Sequence, residues 1–152
     1  MTKLFNMVGP DVAYFGQKDA QQALVIRKLV HDLDMPVRIE VCPTVREPDG
    51  LALSSRNAYL TPEERERAAA ISRALRAAEQ AVDAGTIDAA AVLAAARHEL
   101  DAAGIEPEYL ELRSATDLSP AERVSGSALL AVAARVGWAR LIDNTMLKGR
   151  VS

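Results

Sequence analysis

The sequence of 152 residues predicts an α/β protein with two small lobes, and three observations support this fold class. In the first third of the chain, two short apolar runs flank one helical pattern, a spacing that suits a right-handed parallel crossover better than a hairpin. In the remainder, two alanine-rich helical patterns precede three strand-like segments. Residues 43–50, between these regions, are rich in proline and turn formers. We therefore expect one domain over residues 1–44 and a second over residues 45–152.

The elements of the first domain follow from apolar spacing and from the positions of glycine and proline. Leu4, Phe5 and Val8 recur at helical spacing, and Gly9-Pro10 ends the helix that they predict. A strand over residues 12–15, a helix over about residues 19–33 and a strand over residues 37–42 then complete a strand–helix–strand unit.

The second domain contains a strong helix signal. Thr61 stands at the N-cap, Pro62 at the first helical position and Glu64 three residues after the cap, which is the pattern of a capping box. A second helix is predicted from near Asp88 to a stop at Gly104. The two buried faces are expected to consist of Ile71, Leu75, Ala78 and Val82, and of Leu93, Ala96, Leu100 and Ala103. Strand patterns over residues 108–113, 127–136 and 139–143 predict a small antiparallel sheet covered by helices.

Composition and charge exclude several classes of protein. Hydrophobic residues make up 49% of the chain and charged residues 26%, which provides for a core and argues against disorder. The formal net charge of −3 lacks the basic excess of a nucleic-acid-binding protein. The single cysteine, Cys42, excludes an internal disulfide, and no apolar run approaches the ~20 residues of a membrane-spanning helix. With no signal-peptide pattern, we expect a cytoplasmic protein that binds neither nucleic acid nor membrane.

A polar cluster follows the first predicted strand. In parallel sheets, ligands bind beyond the carboxyl ends of the strands, and Gly16-Gln17-Lys18-Asp19 lies at such an end. Gly16 permits a tight turn and close backbone approach, Lys18 offers a charge for phosphate, and Asp19 can accept a bond from a ribose hydroxyl. The alternative is that Asp19 caps the helix and that Lys18 is solvated.

The predicted register of the following helix places two polar residues on its apolar stripe. Ile26, Leu29 and Leu33 form one apolar stripe, and steps of four residues back along the stripe reach Gln22 and Lys18. Polar groups on a buried face need partners, because an unsatisfied buried polar group costs free energy. A polar ligand and hydrogen bonds to loop backbone are equal alternatives for these partners.

A second polar cluster lies just after the predicted domain boundary. The SSRN segment, residues 54–57, follows the flexible Gly50 and groups two hydroxyls, a guanidinium and a carboxamide. Such a group can donate several hydrogen bonds to an anion, and the planar fork of arginine binds phosphate oxygens bidentately. Alternatively, the SSRN segment is an ordinary polar turn, because serine and asparagine favour turns.

Three segments of the chain together resemble the pantothenate synthetase (pantoate–β-alanine ligase) family. They read FGQKDAQQ over residues 15–22, PTVREPDGLALSSRN over residues 43–57 and RLIDN over residues 140–144. The resemblance runs in order through essentially the whole chain. The Lys-Asp-x-x-Gln and Gly-Leu-Ala-x-Ser-Ser-Arg-Asn motifs are specific in combination, whereas either alone would be weak.

The resemblance implies a fold and a reaction. The fold would be the C-terminal piece of a Rossmann-like nucleotidyltransferase domain, followed by a small α+β lid domain with antiparallel strands. In the implied reaction, which uses Mg²⁺, the pantoate carboxylate attacks the α-phosphorus of ATP and gives pantoyl adenylate and pyrophosphate. The amine of β-alanine then displaces AMP and forms pantothenate. Members of the family are commonly homodimers.

The resemblance also implies roles for individual residues. The implied ATP-binding residues are Gly16, Lys18, Asp19, Val45, Leu53, Ser54, Ser55 and Arg56. The implied catalytic set is Lys18, Ser54, Ser55 and Arg56. Lys18 would contact phosphate, Asp19 would contact the ribose, and Gln22 would bind pantoate. Val45 and Leu53 would border the adenine. The sequence shows no set of metal ligands, so Mg²⁺ would arrive with ATP.

The chain departs from the family pattern mainly by an absence. Family members carry an N-terminal half with a His-x-Gly-His ATP motif, and the present sequence resembles the family only after that half. His31 and His98 lie in predicted helices, and we interpret both as surface residues. Gln17 and Ala20 stand where the family has glutamate and an aromatic residue. We therefore expect the chain to be inactive alone, with an exposed sheet edge and an uncovered apolar face.

Three functional interpretations follow. In the first, the chain is part of a pantoate–β-alanine ligase whose activity belongs to the longer enzyme. In the second, it is a non-catalytic fragment or partner that binds a full-length synthetase through the family's dimer surface. In the third, it is an unrelated small α/β binding module whose two motifs match by chance.

Overall fold

The computed structural model describes residues 1–149, and the chain divides into two units. The first unit is Met1–Thr44, and the second starts at Val45. Each unit has its own sheet, parallel in the first and antiparallel in the second. Among the helices described, none combines the length and the apolar character needed to cross a bilayer.

The first unit is a strand–helix–strand arrangement preceded by a short helix. Its elements are α1 (Thr2–Val8), β1 (Val12–Gly16), a 3₁₀ turn (Gln17–Asp19), α2 (Ala20–Asp32) and β2 (Arg38–Cys42). β1 and β2 pair in parallel, with Val12 opposite Arg38 and Gly16 opposite Cys42. The predicted parallel crossover is therefore confirmed.

A small core on one face of the β1–β2 sheet stabilises the first unit. Phe5 of α1, Ile26 of α2 and Val37 before β2 are buried together. The sheet residues that pack against them are Ala13, Phe15 and Ile39. These three alternate along their strands, so they lie on the same face of the sheet. The opposite face takes no part in this core.

Large apolar residues of the first unit remain exposed on α1 and β1. Leu4, Met7 and Val8 lie three and four residues apart on one face of α1, and each is more than half exposed. Tyr14, on the sheet face opposite Phe15, is 69% exposed. Within residues 1–149, β1 pairs only with β2, so its other edge has no strand beside it. The expected free edge is therefore present. The uncovered face of the sheet, however, carries the ion pair Arg38–Glu40 beside Tyr14, and most of the exposed apolar residues lie on α1.

The register of α2 differs from the predicted one. Its buried stripe consists of Ala23 and Ile26, with Val30 partly buried beside them. Leu33 is 54% exposed, and Gln22 is exposed as well. Gln22 precedes Ile26 by four residues, but Ala23 and Val30 lie on the other side of Ile26 around the helix, so the centre of the buried stripe turns away from Gln22. The prediction that Gln22 faces inward is therefore wrong.

The second unit combines two helices with a three-stranded antiparallel sheet, as predicted. Its elements are a 3₁₀ turn (Ser55–Tyr59), α3 (Pro62–Asp83), α4 (Ala89–Ala102), β3 (Pro107–Ser114), β4 (Ser127–Val136) and β5 (Ala139–Lys148). The strand order is β3-β4-β5, α3 packs on β4 and β5, and α4 packs on β3. β5 continues past the predicted end at Asp143, because it pairs along the full length of β4 as far as Ser127 opposite Lys148.

Side-chain caps fix the starts of both long helices. The Thr61 hydroxyl accepts from the Glu64 N–H at 3.2 Å, and the Glu64 carboxylate accepts from the Thr61 N–H at 2.9 Å, so the capping box is confirmed. Asp88 caps α4 by accepting a backbone N–H at 3.0 Å. The predicted face of α3 is buried, whereas Leu93 and Ala103 of α4 are only partly buried. The buried stripe of α4 is Ala89, Val92, Ala96 and Leu100.

A two-residue turn joins β4 to β5 at one end of the sheet. Gly137, its first residue, has a φ of +57°, a conformation that favours glycine in two-residue hairpin turns. Trp138, the second residue, is the only tryptophan of the chain and is 92% exposed. The indole therefore contributes almost nothing to the core of the second unit.

Candidate functional site

The first group of predicted site residues lies at the carboxyl end of β1. Gly16 is the last residue of β1, and the 3₁₀ turn leads from it into α2. Lys18 is half-buried in this turn, and Asp19 is exposed. Gly16 has a φ of −76°, which any residue can adopt, so this turn does not require a glycine for its backbone conformation. Apart from Gly16 and its two chain neighbours, no described residue has an atom within 4 Å of the Cβ position, which leaves open space beside the turn.

The structure does not support helix capping as the role of Asp19. Asp19 occupies the N-cap position of α2, but its side chain accepts no capping hydrogen bond. Gln22, in the first turn of α2, is exposed. Both side chains are therefore accessible to a ligand at the end of the sheet where ligands of parallel α/β proteins bind.

In the second unit, residues 45–53 fold back on themselves, and we call them the arm. The N–H of Leu53 donates to the carbonyl of Val45 at 2.8 Å, and the N–H of Glu47 donates to the carbonyl of Leu51 at 2.9 Å. Gly50 closes the turn with a φ of +88°, and its N–H donates to the carbonyl of Glu47 at 2.8 Å. Glycine adopts this conformation without steric cost, so the sequence permits a tight reversal here.

A buried ion pair fixes the base of the arm to β5. The Arg46 guanidinium donates to both carboxylate oxygens of Asp143, at 2.5 Å and 3.0 Å. The Asp143 side chain is only 2% exposed and also accepts from the backbone N–H of Asn144. Arg46 donates a further bond to the carbonyl of Gly50, at 3.1 Å. A bidentate arginine is a suitable partner for a buried carboxylate, because it satisfies charge and hydrogen bonds together.

A second polar network joins the arm to the SSRN segment and to α3. Asn57 is 6% exposed, and its Nδ2 donates to Glu47 Oε1 at 2.6 Å and to the carbonyl of Ala52 at 3.1 Å. Arg65 of α3 pairs with Glu47 and, at 2.8 Å, with Asp49. The hydrogen bonds from Asn57 and then Arg65 lower the pKa of Glu47 below its ordinary value. Glu47 is therefore ionised at neutral pH, and the hydrogen bond that Arg65 donates to it raises the pKa of Arg65.

The SSRN segment presents its central side chains to solvent between two buried residues. Ala52 before it and Asn57 at its end are buried, whereas Ser55 and Arg56 are exposed. The Ser54 hydroxyl accepts from the Arg56 N–H at 3.3 Å and so has a local turn role. Among residues 1–149, no side-chain bond or ion pair engages the Ser55 hydroxyl or the Arg56 guanidinium. These two groups can therefore donate to an anion without giving up a partner.

An apolar strip lies next to the SSRN segment on the arm. Val45 is 65% exposed and Leu53 is 56% exposed, and the hydrogen bond between their backbones places them side by side. Exposed apolar side chains of this size suit a flat, largely apolar ligand group. The arm thus places an apolar strip directly beside the hydroxyls and guanidinium of the SSRN segment.

The predicted site residues fall into two groups, one in each unit. The first unit holds Gly16, Lys18, Asp19 and Gln22, and the second holds Val45, Leu53, Ser54, Ser55 and Arg56. Sequence reasoning missed the residues that support the second group, which are Arg46, Glu47, Arg65 and Asp143. One signal was available for Asp143, because an acidic residue in the apolar run of β5 requires a partner.

The described residues contain no ready-made metal centre. No three or more His, Cys, Asp or Glu side chains of residues 1–149 are grouped so that they could hold a metal ion. His31 and His98 are exposed on α2 and α4, which confirms that both are surface residues. Among the residues described, carboxylates near the arm are occupied by arginine, as in the pairs Arg46–Asp143 and Arg65–Glu47.

Comparison with protein families gives a match over almost the entire chain. The family model described as pantoate-beta-alanine ligase matches residues 1–146. Among curated proteins, the pantothenate synthetase of Roseiflexus castenholzii is 50% identical over 96% of this chain and 53% of its own length. The bifunctional pantoate ligase/cytidylate kinase of Synechococcus elongatus is 53% identical over 97% of this chain and 28% of its own length.

Comparison with solved structures also finds pantothenate synthetases. The crystal structure of pantothenate synthetase from Thermus thermophilus matches with a TM-score of 0.89 and 44% identity, over 95% of this chain and 52% of that one. Pantoate-beta-alanine ligase from Francisella tularensis, complexed with beta-gamma ATP and beta-alanine, matches with a TM-score of 0.65 and 30% identity, over 95% of this chain and 47% of that one. The chain spans about half the length of the pantothenate synthetases that it matches. From its sequence and its structure alike, the chain belongs to the pantoate–β-alanine ligase family.

Proposed function

We propose that the chain acts as part of a longer pantoate–β-alanine ligase, an ATP-dependent and AMP-forming enzyme. In this reaction, pantoate and ATP form pantoyl adenylate and pyrophosphate, and β-alanine then displaces AMP to give pantothenate. Family membership supports the reaction, and the relative from Francisella tularensis was solved in complex with beta-gamma ATP and beta-alanine. We expect the chain alone to be inactive, because it spans only about half of its relatives.

The observation that carries this proposal is the geometry of the arm and the SSRN segment. Ser54, Ser55 and Arg56 would bind the phosphates of ATP, and the exposed, unengaged Arg56 guanidinium is suited to two phosphate oxygens at once. Val45 and Leu53 would border the adenine, for which their exposed apolar strip is suitable. Residues 45–152 would then serve as a lid domain.

The first unit would provide the remaining contacts as the end of a Rossmann-like nucleotide-binding domain. Gly16 and Lys18 would lie against phosphate, where the open space at Gly16 allows close approach. Asp19 would accept from the ribose, which its freedom from capping permits. Gln22 would bind pantoate, and its exposure on α2 leaves its carboxamide accessible.

Catalysis in this proposal relies on positioning and on positive charge. A pantoate carboxylate oxygen forms the new bond to the α-phosphorus while the bond to pyrophosphate breaks, so the chain need not supply a strong acid or base. Lys18 and Arg56 would stabilise the negative charge that moves to the leaving pyrophosphate. Mg²⁺ bound to the triphosphate would neutralise further charge, as is usual for a metal ion carried by a nucleotide. A closed lid would protect the adenylate from water.

The test is pantoate-dependent exchange of labelled pyrophosphate into ATP. We would assay the chain alone and mixed with the part of the Thermus thermophilus synthetase that this chain does not match. We expect no exchange by the chain alone and measurable exchange by the mixture. The positive control is the same part of the Thermus thermophilus synthetase mixed with the remaining part of that enzyme, which is the part that this chain matches. If the control exchanges pyrophosphate and the mixture does not, the proposal is contradicted. If the chain alone exchanges pyrophosphate, the expectation that it is inactive alone is contradicted.

A matched pair of variants tests the role of the SSRN segment in the same mixture. Arg56→Gln should lower exchange by at least about 100-fold, because it removes a charged donor aimed at the phosphates. Arg123→Gln removes another exposed arginine, outside both groups of site residues, and should leave exchange unchanged. Equal activity of the two variants would contradict the assignment of Arg56.

A second candidate function is binding to a full-length synthetase without catalysis. The exposed apolar residues of α1 and β1, Leu4, Met7, Val8 and Tyr14, favour it, because such surfaces are commonly covered by a partner. Size-exclusion chromatography with a full-length synthetase would reveal a stable complex. Complex formation without exchange in the complementation assay would favour this candidate over the enzymatic one.

A further inference from the structure

We propose that Glu47, acting through Asn57, is a positioning residue that holds Ser55 and Arg56 in place for the phosphates of the nucleotide. This inference deepens the proposed function and rests on it. Glu47 itself lies in the arm and accepts from the carboxamide of Asn57, and it has no hydrogen bond with Ser55 or Arg56 among the described residues. Its effect on a ligand would therefore be indirect.

The hydrogen bonds of Asn57 explain why it can control the segment. Asn57 directly follows Arg56, and its own N–H donates to the carbonyl of Ser54 at 3.1 Å. Both donors of its carboxamide are used, one on Glu47 and one on Ala52. A buried carboxamide held at two points fixes the backbone on one side of Arg56, and the buried Ala52 fixes the other side.

Glu47 determines the orientation of this carboxamide. Asn57 Oδ1 is buried and has no partner among residues 1–149, so no third bond opposes rotation of the group. A rotated carboxamide would place Oδ1 against the ionised carboxylate of Glu47 and against the carbonyl of Ala52, which is repulsive. Arg65 holds Glu47 from the other side and connects the network to α3. The orientation of Asn57 thus depends on the acceptors at Glu47 and Ala52, and of these only Glu47 is a side chain that a substitution can remove.

This arrangement has a consequence for nucleotide binding. Preorganised donors stabilise charge without a cost of reorganisation during the reaction, and displacement by about 1 Å reduces the rate by about 100-fold. Without an acceptor at position 47, the SSRN segment would sample other conformations. The contacts of Ser55 and Arg56 with the phosphates would then be weakened. Contacts of Gln22 with pantoate, in the other unit, would be unaffected.

The kinetic test uses the complemented mixture and three variants. Glu47→Leu should reduce kcat/KM for ATP by about 100-fold, with an unchanged KM for pantoate. Glu47→Gln keeps a carbonyl oxygen for Asn57 Nδ2 and should lose less than about tenfold, even though it removes the charge next to Arg65. Glu66→Gln, an exposed glutamate on the same helix as Arg65, should behave as wild type. Equal losses in Glu47→Leu and Glu47→Gln would overturn the inference.

Amide hydrogen exchange provides a second readout that needs no activity. In Glu47→Leu, the N–H groups of Arg56 and Asn57 should exchange faster than in wild type, while those in the middle of α3 and β4 should keep their protection. Unchanged exchange at Arg56 and Asn57 would overturn the inference, as would loss of protection throughout the second unit. A wild-type mixture that shows no pyrophosphate exchange would instead overturn the proposed function, and with it the part of the inference that concerns phosphate.

Discussion

At the scale of single residues, the buried carboxylate of Asp143 requires a positively charged partner from elsewhere in the chain. It lies in β5 between Ile142 and Asn144, and its charge is balanced by Arg46, 97 residues away along the chain. The Arg46 side chain is 31% exposed, whereas that of Asp143 is 2% exposed. Removal of the arginine therefore strands a buried charge, whereas removal of the carboxylate leaves a guanidinium that can reach water.

We expect this asymmetry to appear in the free energy of unfolding. Arg46→Met should cost about 3 kcal/mol, since breaking a buried pair leaves one charge uncompensated. The double variant Arg46→Met/Asp143→Leu should be more stable than Arg46→Met alone, because no charge remains buried. Urea denaturation measures both. Arg140→Met removes a more exposed ion pair, with Glu108, from the same strand and should cost much less. A double variant no more stable than Arg46→Met would refute the explanation.

The lowered pKa of Glu47 predicts a direction for the dependence of stability on pH. Because the folded pKa lies below the unfolded value, which is about 4.5, the contribution of Glu47 is fully present above that value. It is lost as the pH falls through the folded pKa. Glu47→Gln should therefore show a shallower loss of stability than wild type in acid, and Glu66→Gln the same loss as wild type. Thermal unfolding from neutral pH down to about pH 3 measures this.

At the scale of elements, the turn of the arm illustrates how a glycine can have two functions at once. Gly50 has a φ of +88°, and a Cβ there would lie 2.7 Å from the Oγ of Ser72, which is buried in α3. Gly85, after α3, has a φ of +102°, but no described atom is within 4 Å of its Cβ position. The two glycines therefore share the conformational requirement and differ in the close approach.

Alanine substitutions should separate these two effects. Gly85→Ala should cost about 1–2 kcal/mol from backbone strain alone. Gly50→Ala should cost at least about 1 kcal/mol more, because of the overlap with Ser72. Adding Ser72→Ala to Gly50→Ala should recover part of that difference. Denaturant unfolding of the four proteins measures it, and equal costs for the two glycines would mean that the close approach is unimportant.

Elements that depend on neighbours in sequence could be predicted well. The capping box of Thr61 and Glu64 and the left-handed stop at Gly9 rest on contacts across at most four residues, and the structure has both. The register of α2 could not be predicted, because it depends on which residues meet Phe5 and Val37 in the core. The apolar pattern of α2 fits two registers, and tertiary packing selects the one that exposes Gln22.

For the candidate site, sequence reasoning identified the exposed groups better than their supports. The SSRN segment was predicted as an anion-binding group, and its Ser55 and Arg56 side chains are exposed and unengaged within residues 1–149. The pairs Arg46–Asp143 and Glu47–Arg65 join residues distant in sequence. No local pattern encodes such pairs, because they arise from the way that the arm packs on β5 and α3.

At the scale of the whole molecule, the first unit exposes several large apolar side chains. Its core is small, and Leu4, Met7 and Val8 form an apolar face on α1 while one edge of β1 is unpaired in the described residues. A two-stranded sheet is marginal by itself, and parallel sheets are normally covered on both faces. We therefore expect the isolated chain to self-associate as its concentration rises.

Sedimentation velocity can test this expectation. Met7→Lys places a charge on the exposed face of α1, where Met7 is 75% exposed, and should shift the chain towards monomer. Trp138→Lys replaces an even more exposed but isolated residue of the second unit and should leave association unchanged. A chain that stays monomeric at high concentration, or equal effects of the two variants, would contradict the assignment of association to α1.

The exposure of Trp138 also determines what fluorescence can report. The chain has one tryptophan, so emission excited in the indole band comes from the β4–β5 turn alone. An indole already in water emits at nearly the same wavelength before and after denaturation. The emission maximum of Trp138 will therefore hardly change during unfolding. The emission maximum of the same indole should shift to shorter wavelength when another protein covers the turn. For this chain, tryptophan emission is therefore a detector of complexes, and unfolding must be followed by circular dichroism.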